Sequence, residues 1–337
     1  DGTSRMYKIV DLFAGIGGLS YGFKKNGFEL VFANDFDKDC NNTYNKNFPD
    51  DLYILEPIEN IDIEYLQRHF PITPKVDIMC GGIPCQPFSM SGFRNRKKLK
   101  DQYDGRTYLY KHFLRVAKIL KPKILLIENV RGIMSLKDGA IFEDILKSIE
   151  KLGYLVDVKV VNSADYGAPQ ARKRTIILAN DIGVNNIFPN PTHNSTNYNT
   201  VKNIFLSKKA PNHEPKYFDG INLDRMKLVK PGKNWKSLPK KYQTKSQHSG
   251  AYGRMDPNKP SRTITTRFDT PSVGFVTVPH ENRTLTVREG ARIQMIPDDF
   301  IITGNKMSQF KQVGNAVPFN ISEHFSKTVK RMLDNES

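Results

Sequence analysis

Cysteine is scarce in this chain, acid is outnumbered, and long apolar runs are missing. Only three cysteines, Cys40, Cys80 and Cys85, stand in 337 residues. They form neither an even disulfide framework nor paired Cys-x-x-Cys clips, which argues against a disulfide scaffold or a structural zinc site, so no metal is expected. No stretch approaches the roughly 20 apolar residues of a membrane span, and no basic-then-apolar signal segment precedes the first strand pattern. The expectation is a soluble cytoplasmic protein. Repeats and low-complexity tracts are lacking too, which disfavours a solenoid. Acidic residues number 35 against 51 Lys and Arg, a formal charge of +16, and such a balance points towards a polyanionic partner.

Six runs read as strands: "YKIVDLF", "FELVFAND", "VDIMCGG", "KILLIEN", "VDVKVVN" and "RTIILAN". Helix-length patterns such as "YLYKHFLRVAKIL" and "AIFEDILKSIEKLG" separate them. This alternation predicts an α/β domain with a doubly wound, mostly parallel sheet over residues 6–182. From Gly183 the periodicity fades, and residues 183–310 hold 20 Lys or Arg against 9 Asp or Glu. A smaller, loop-rich, mainly β domain is expected there. In the last segment, 311–337, Ile321, Phe325, Val329 and Leu333 form one helical stripe, which needs the first domain as its partner surface.

"VDLFAGIGGLSYGF" puts a glycine-rich turn between the first strand and a helix, and Asp35 closes the second strand. Glycines allow close backbone approach to a ligand, and an acid roughly 20 residues on suits ribose hydroxyls. The pattern is G-x-G-G preceded by Phe13, not G-x-G-x-x-G. It fits an adenosyl group better than a pyrophosphate, and a plain tight turn is the alternative. Cys85, in "GGIPCQPFS", follows the fourth strand on the same carboxyl edge. Glu128 in "LLIENV" and Arg172 and Arg174 in "QARKRT" end later strands. A buried acid can carry a raised pKa and donate a proton, and arginines are fixed donors. Singly, each also has a packing, capping or solvated-surface reading.

Taken in order, "DLFAGIGGL", "GGIPCQPFS", "ENVRG", "QARKR", "RTLTVREGARIQMIPDDF" and "QVGNAVP" resemble the C5-cytosine DNA methyltransferases of bacterial restriction–modification systems, from about Lys8 to Arg331. The resemblance implies a Rossmann-like methyltransferase domain followed by a target-recognition domain. It also implies S-adenosylmethionine as cofactor and double-stranded DNA as partner, with a cognate restriction endonuclease sharing the site, and a monomer in the nucleoid. Cys85 is then the nucleophile on cytosine C6, Glu128 the acid at N3, and Arg174 and Arg172 orient the base. Phe13, Ala14, Gly15, Gly17, Gly18, Asp35, Phe36, Ile58, Pro84, Leu109, Asn315 and Val317 match cofactor positions. Gln86, Ser89, Ser91, Arg94, Arg96 and Arg106 are the expected DNA contacts, in a basic loop that closes over the DNA backbone once the target base is flipped out, an ordinary solvated surface loop being the alternative.

Two departures stand out. "EPI" replaces the Gly-Asp-Ile after the third strand, with Pro57 where an acid is expected. "DGRTYL" replaces Asp-x-Arg-Gly-x-Leu. In the variable region, "NWKSLP", "HSGAYGRM" and "SRTITTRF" hold types that read bases, grip phosphates or build a small core. A tRNA cytosine methyltransferase and a silent DNA-binding scaffold remain as rivals, and a nicotinamide-dependent oxidoreductase is disfavoured by the glycine-loop pattern.

Overall fold

The computed structural model describes residues 5–84, 108–245 and 248–336. Its centre is a seven-stranded sheet. In chain order the first elements are β1 (Lys8–Leu12), α1 (Gly18–Lys25), β2 (Glu29–Asp35), α2 (Lys38–Asn47), β3 (Tyr53–Leu55), α3 (Ile63–His69) and β4 (Ile78–Gly82). Then come α4 (Tyr108–Leu120), β5 (Ile124–Val130), α5 (Ala140–Lys151), β6 (Leu155–Asn162), β7 (Gln170–Ala171) and β8 (Lys173–Asn180). The spatial order is β3-β2-β1-β4-β5-β8-β6. Neighbours are parallel except at β8, which runs antiparallel to both β5 and β6.

Period-2 alternation explains how near-continuous apolar strands serve two faces. Val10, Leu12, Leu125 and Ile127 pack with Phe113 of α4 and Ile145 of α5. Ile9, Ile124, Leu126, Ile176 and Leu178 turn the other way, towards Leu19 and Phe23 of α1. That second face also receives α9 (Phe319–Asp334), whose Ile321, Phe325, Val329 and Leu333 are buried in the same cluster. The closeness of α9 to α1 demands glycine: a Cβ at Gly22 would stand 2.2 Å from the Glu323 amide nitrogen, and the Gly22 amide donates to Ser322 Oγ at 3.0 Å. Among the described residues no helix is long and apolar enough to cross a membrane.

Residues 183–310 contain α6 (Gly220–Leu228) and α7 (Val287–Ile293), and α8 (Lys306–Asn315) begins at their end. Their regular strand is confined, among the described residues, to β9 (Ser261–Arg262), paired with β7, and isolated bridges. Loops prevail over the β structure expected from sequence, and the reason is chemical. Eleven of the chain's 20 prolines fall in this stretch and bring no amide donors for ladders. Buried guanidinium groups satisfy the loop carbonyls instead. Arg254 donates to the carbonyls of Met226, Val229, Val278 and Glu281, and Arg288 to those of Pro211, Pro297 and Phe300.

Candidate active site

Past the end of β1 the chain turns through left-handed backbone at Phe13, Gly15 and Gly17, with φ of 53°, 54° and 98°. Asp35, at the end of β2, closes this turn. Its Oδ2 accepts the Gly15 amide at 3.0 Å, and its Oδ1 accepts those of Phe36 and Asp37 at 2.7 and 3.3 Å. Burial raises the Asp35 pKa, and these three amides pull it back. The glycines differ in their surroundings. A Cβ on Gly15 would meet nothing within 4 Å, whereas on Gly17 it would lie 2.8 Å from the Tyr44 ring and on Gly18 2.2 Å from the Val317 carbonyl oxygen. Gly15 therefore opens onto free space, while Gly17 and Gly18 let α1 pack closely. Ile58 and Leu109, two expected cofactor contacts, are buried in the core. Phe13 and Phe36 are half-buried, Ala14 is buried, and Pro84 and Asn315 are exposed. The turn at Pro57 is held by Arg115, which donates to the carbonyls of Ile58 and Ile61 at 2.8 and 2.6 Å.

Beneath this turn lies a group the sequence reading passed over. Asp11 is 1% exposed, and its Oδ2 accepts Ser20 Oγ at 2.5 Å and the Ser20 amide at 3.2 Å. Burial pushes its pKa from 3.8 up to about 7, against the opposing hydrogen bonds of Ser20 and the Cys80 thiol. The native state thus holds a proton that the unfolded chain releases near pH 4, and stability falls as pH rises from there to about 7. Asp11→Asn should remove that slope. The variant's melting temperature relative to wild type is expected to rise between pH 4 and 7 and then level off; a constant difference would show Asp11 ionised throughout.

The other half of the cleft is set by sheet register. Gly82 of β4 pairs with Glu128 of β5, and the Ile83 amide donates to the Glu128 carbonyl at 3.0 Å. Alternation puts the Glu128 side chain on the face of Leu126, and Arg174 of β8 on the face of Ile176 and Leu178, which is the same one. Arg174 Nε consequently lies 3.2 Å from Glu128 Oε1. The Glu128 carboxyl is buried, and burial raises its pKa against the pull of Arg174 and then Arg172. A recess lined by Glu128, Arg174, Ser163, Val317, Pro318 and Ile321 opens beside it.

Arg172 lines this recess too, with its Nε unpartnered among the described residues, while its two Nη atoms turn away to backbone carbonyls. It is 5% exposed; Nη1 donates to the Ile264 carbonyl at 3.0 Å and Nη2 to that of Gly314 at 3.1 Å. Burial, with Arg174 adding to it, pushes its pKa down to about 9. It ties the variable region to the C-terminal block. Cys85, Gln86, Ser89, Ser91, Arg94, Arg96 and Arg106 lie outside the described residues. The described chain leads from Gly82, whose Cβ would stand 3.2 Å from Glu128 Oε2, through Ile83 to Pro84.

The glycine turn, the Pro84 segment, Glu128, the β7–β8 arginines and the C-terminal block thus share one edge of the sheet. The family model for C-5 cytosine-specific DNA methylases matches residues 7–331. This chain is a member of that family. Among relatives, the type II methyltransferase M1.HphI of Haemophilus parahaemolyticus is 35% identical, over 97% of this chain and 87% of its own length. M.NgoFVII of Neisseria gonorrhoeae, also a type II methyltransferase, is 35% identical over 94% of this chain and 84% of its own. The crystal structure of a protein encoded within an E. coli prophage superposes with a TM-score of 0.70 at 25% identity, covering 98% of this chain and all of the other.

Several blocks of this methylase that look functional in sequence turn out to be scaffold. In "RTLTVREGARIQM", Glu289 caps α7 through Thr286 and takes both Arg283 Nη atoms at 2.7 and 3.0 Å, fully buried. Gln294 accepts from Gln170 Nε2 at 2.7 Å and donates to the carbonyls of Val313 and Ala316 at 3.0 and 3.1 Å. It thereby fixes "QVGNAVP" so that Val317 stands between Gly18 and Gly82. In "HSGAYGRM", Tyr252 and Arg254 are buried and take the core role. Cys40 and Cys80 are free thiols, both buried.

Proposed function

We propose that this DNA methylase transfers a methyl group from S-adenosylmethionine to C5 of a cytosine flipped out of duplex DNA, as the modification partner of a restriction endonuclease. The observation that carries this reading is the buried Glu128 carboxyl, its pKa raised by burial. It sits beside Arg174 at the sheet edge where the chain runs on from Pro84 to Cys85. The residues around the glycine turn suit the cofactor: Gly15 is open above its backbone, Asp35 places its carboxyl there, and Phe13 is only partly buried. Phe13, Gly15, Asp35, Phe36, Pro84, Asn315 and Val317 would hold S-adenosylmethionine, which supplies an electrophilic methyl group when bound.

C5 of cytosine is a weak nucleophile. Addition of the Cys85 thiolate to C6 pushes the ring's electron pair towards C5 and N3, and Glu128 meets that charge by donating its proton to N3. Arg174 orients the base through its carbonyl oxygen. Once C5 carries the new methyl group, loss of the C5 proton to a base restores the C5–C6 double bond and expels Cys85 as thiolate, and the N3 proton returns to Glu128. Residues 183–310, with their surplus of base, would choose the sequence. The enzyme would act as a cytoplasmic monomer on nucleoid DNA.

Bisulfite sequencing of a mixed-sequence plasmid incubated with the protein and S-adenosylmethionine tests the proposal. Protected cytosines are expected within one recurring motif. No protection on DNA, with transfer to tRNA instead, would replace the substrate.

A further inference from the structure

The run from Ser261 to Thr270 starts alongside β7, the short strand that immediately precedes Arg172 and Arg174. Ser261 and Arg262 pair with Gln170 and Ala171, Ile264 N donates to Gln170 Oε1 at 3.0 Å, and Thr263 Oγ1 donates to the Ala171 carbonyl at 3.0 Å. Further on, Phe268 is fully buried, ring against ring with Phe310, and only a glycine at position 290 leaves room for it. Backbone on both sides of Arg267 is therefore anchored. Between these anchors the Arg267 side chain emerges, 52% exposed.

Its guanidinium is nonetheless oriented. Nε donates to Asp269 Oδ1 at 3.1 Å, Nη2 donates to Thr270 Oγ1 at 3.0 Å, and Thr270 Oγ1 donates to the same Asp269 oxygen at 3.1 Å. The Asp269 carbonyl is tied in turn by Thr284 Oγ1 at 2.9 Å. No partner for Nη1 occurs among the described residues, so the outer edge of the fork stays available. A planar fork with its orientation already fixed loses little freedom on binding, and its two outward N–H groups match the O6 and N7 acceptors of guanine in the major groove. A phosphate contact would need charge more than direction, and the Asp269 carboxylate offsets that charge. Neighbouring arginines are otherwise engaged: Arg172 and Arg254 on carbonyls, Arg262 stacked 4.3 Å over Phe275.

We propose that Arg267 reads a guanine at a fixed position of the recognition sequence, with Asp269 and Thr270 as positioning residues that aim its fork. This rests on the reading of the chain as a sequence-specific DNA methyltransferase, and it adds a residue and a base. Loss of a base-reading arginine relaxes one position of the site, whereas loss of a phosphate contact weakens all sequences alike and lowers the salt dependence by about one charge.

The test uses the full chain on a randomised duplex pool, read in two ways. Duplexes retained with S-adenosylhomocysteine are sequenced for binding preference, and the same pool incubated with S-adenosylmethionine is read by bisulfite sequencing. In Arg267→Ala, preference for one guanine is expected to fall roughly 5- to 150-fold with the other positions unchanged; Asp269→Asn should show a smaller loss at that same position. 7-Deazaguanine placed there should weaken wild type and leave Arg267→Ala unaffected. An unchanged guanine preference in Arg267→Ala, a uniform loss across the pool, or a wild-type motif without guanine overturns the proposal. A guanine preference seen in binding, without any methylated cytosine, would instead overturn the proposed activity and leave Arg267 as a base reader.

Discussion

Cys85→Ala is expected to reduce methyl transfer to duplex DNA by about 10,000-fold or more, because no other thiol among the described residues is placed to add to C6. The alternative nucleophiles are unsuitable by burial: Cys80 lies within the sheet and Cys40 within an apolar cluster, and burial pushes both thiols well above their ordinary pKa. Single-turnover transfer of labelled methyl groups measures the effect, with binding of S-adenosylmethionine by calorimetry expected to be retained. Appreciable residual transfer would remove the covalent mechanism. A second readout follows from the chemistry of elimination. With 5-fluorocytosine in the target no proton is available to leave C5, so wild type should accumulate a protein–DNA adduct stable to detergent, and Cys85→Ala should form none.

Legibility in the sequence followed the range of the forces involved. β1, β2, β4, β5 and β8 announce themselves because local apolar runs are what a two-sided sheet buries. β7 and β9, two residues each, carry no period to detect, and their pairing is set by residues 91 positions apart in sequence. The two ends of the cleft were legible as motifs, since a glycine turn after a strand and an acid at a strand end have local causes. Roles within motifs were not. Whether an arginine reaches DNA or a carbonyl depends on where loops 92 and 142 residues away come to rest, as Arg172 illustrates with Ile264 and Gly314. Glu289 and Gln294 went unremarked for the same reason: their partners are gathered only by the tertiary fold. Asp11 had one local signal, an acid inside the apolar run "KIVDLF", which is costly unless hydrogen-bonded or protonated.

Glu128→Gln is expected to slow single-turnover transfer by about 100- to 10,000-fold, the usual range for loss of a positioned general acid, with little change in cofactor binding. Glutamine keeps the shape and one donor, so the DNA complex should still form; what it lacks is a proton to give to N3. The pH dependence separates this role from a structural one. Burial raises the Glu128 pKa, so the carboxyl retains its proton above the ordinary carboxylate range and loses it as pH climbs further. Thiolate formation at a cysteine runs the other way, increasing with pH. Wild type should accordingly give a bell-shaped rate profile, and Glu128→Gln only its rising limb. Arg174 supplies the control, for its charge, 3.2 Å from Glu128, lowers the carboxyl's pKa against burial. Arg174→Gln should move the falling limb to higher pH while reducing the rate at every pH through looser orientation of the base. A falling limb that survives in Glu128→Gln, or stays in place in Arg174→Gln, would assign the N3 proton to another group.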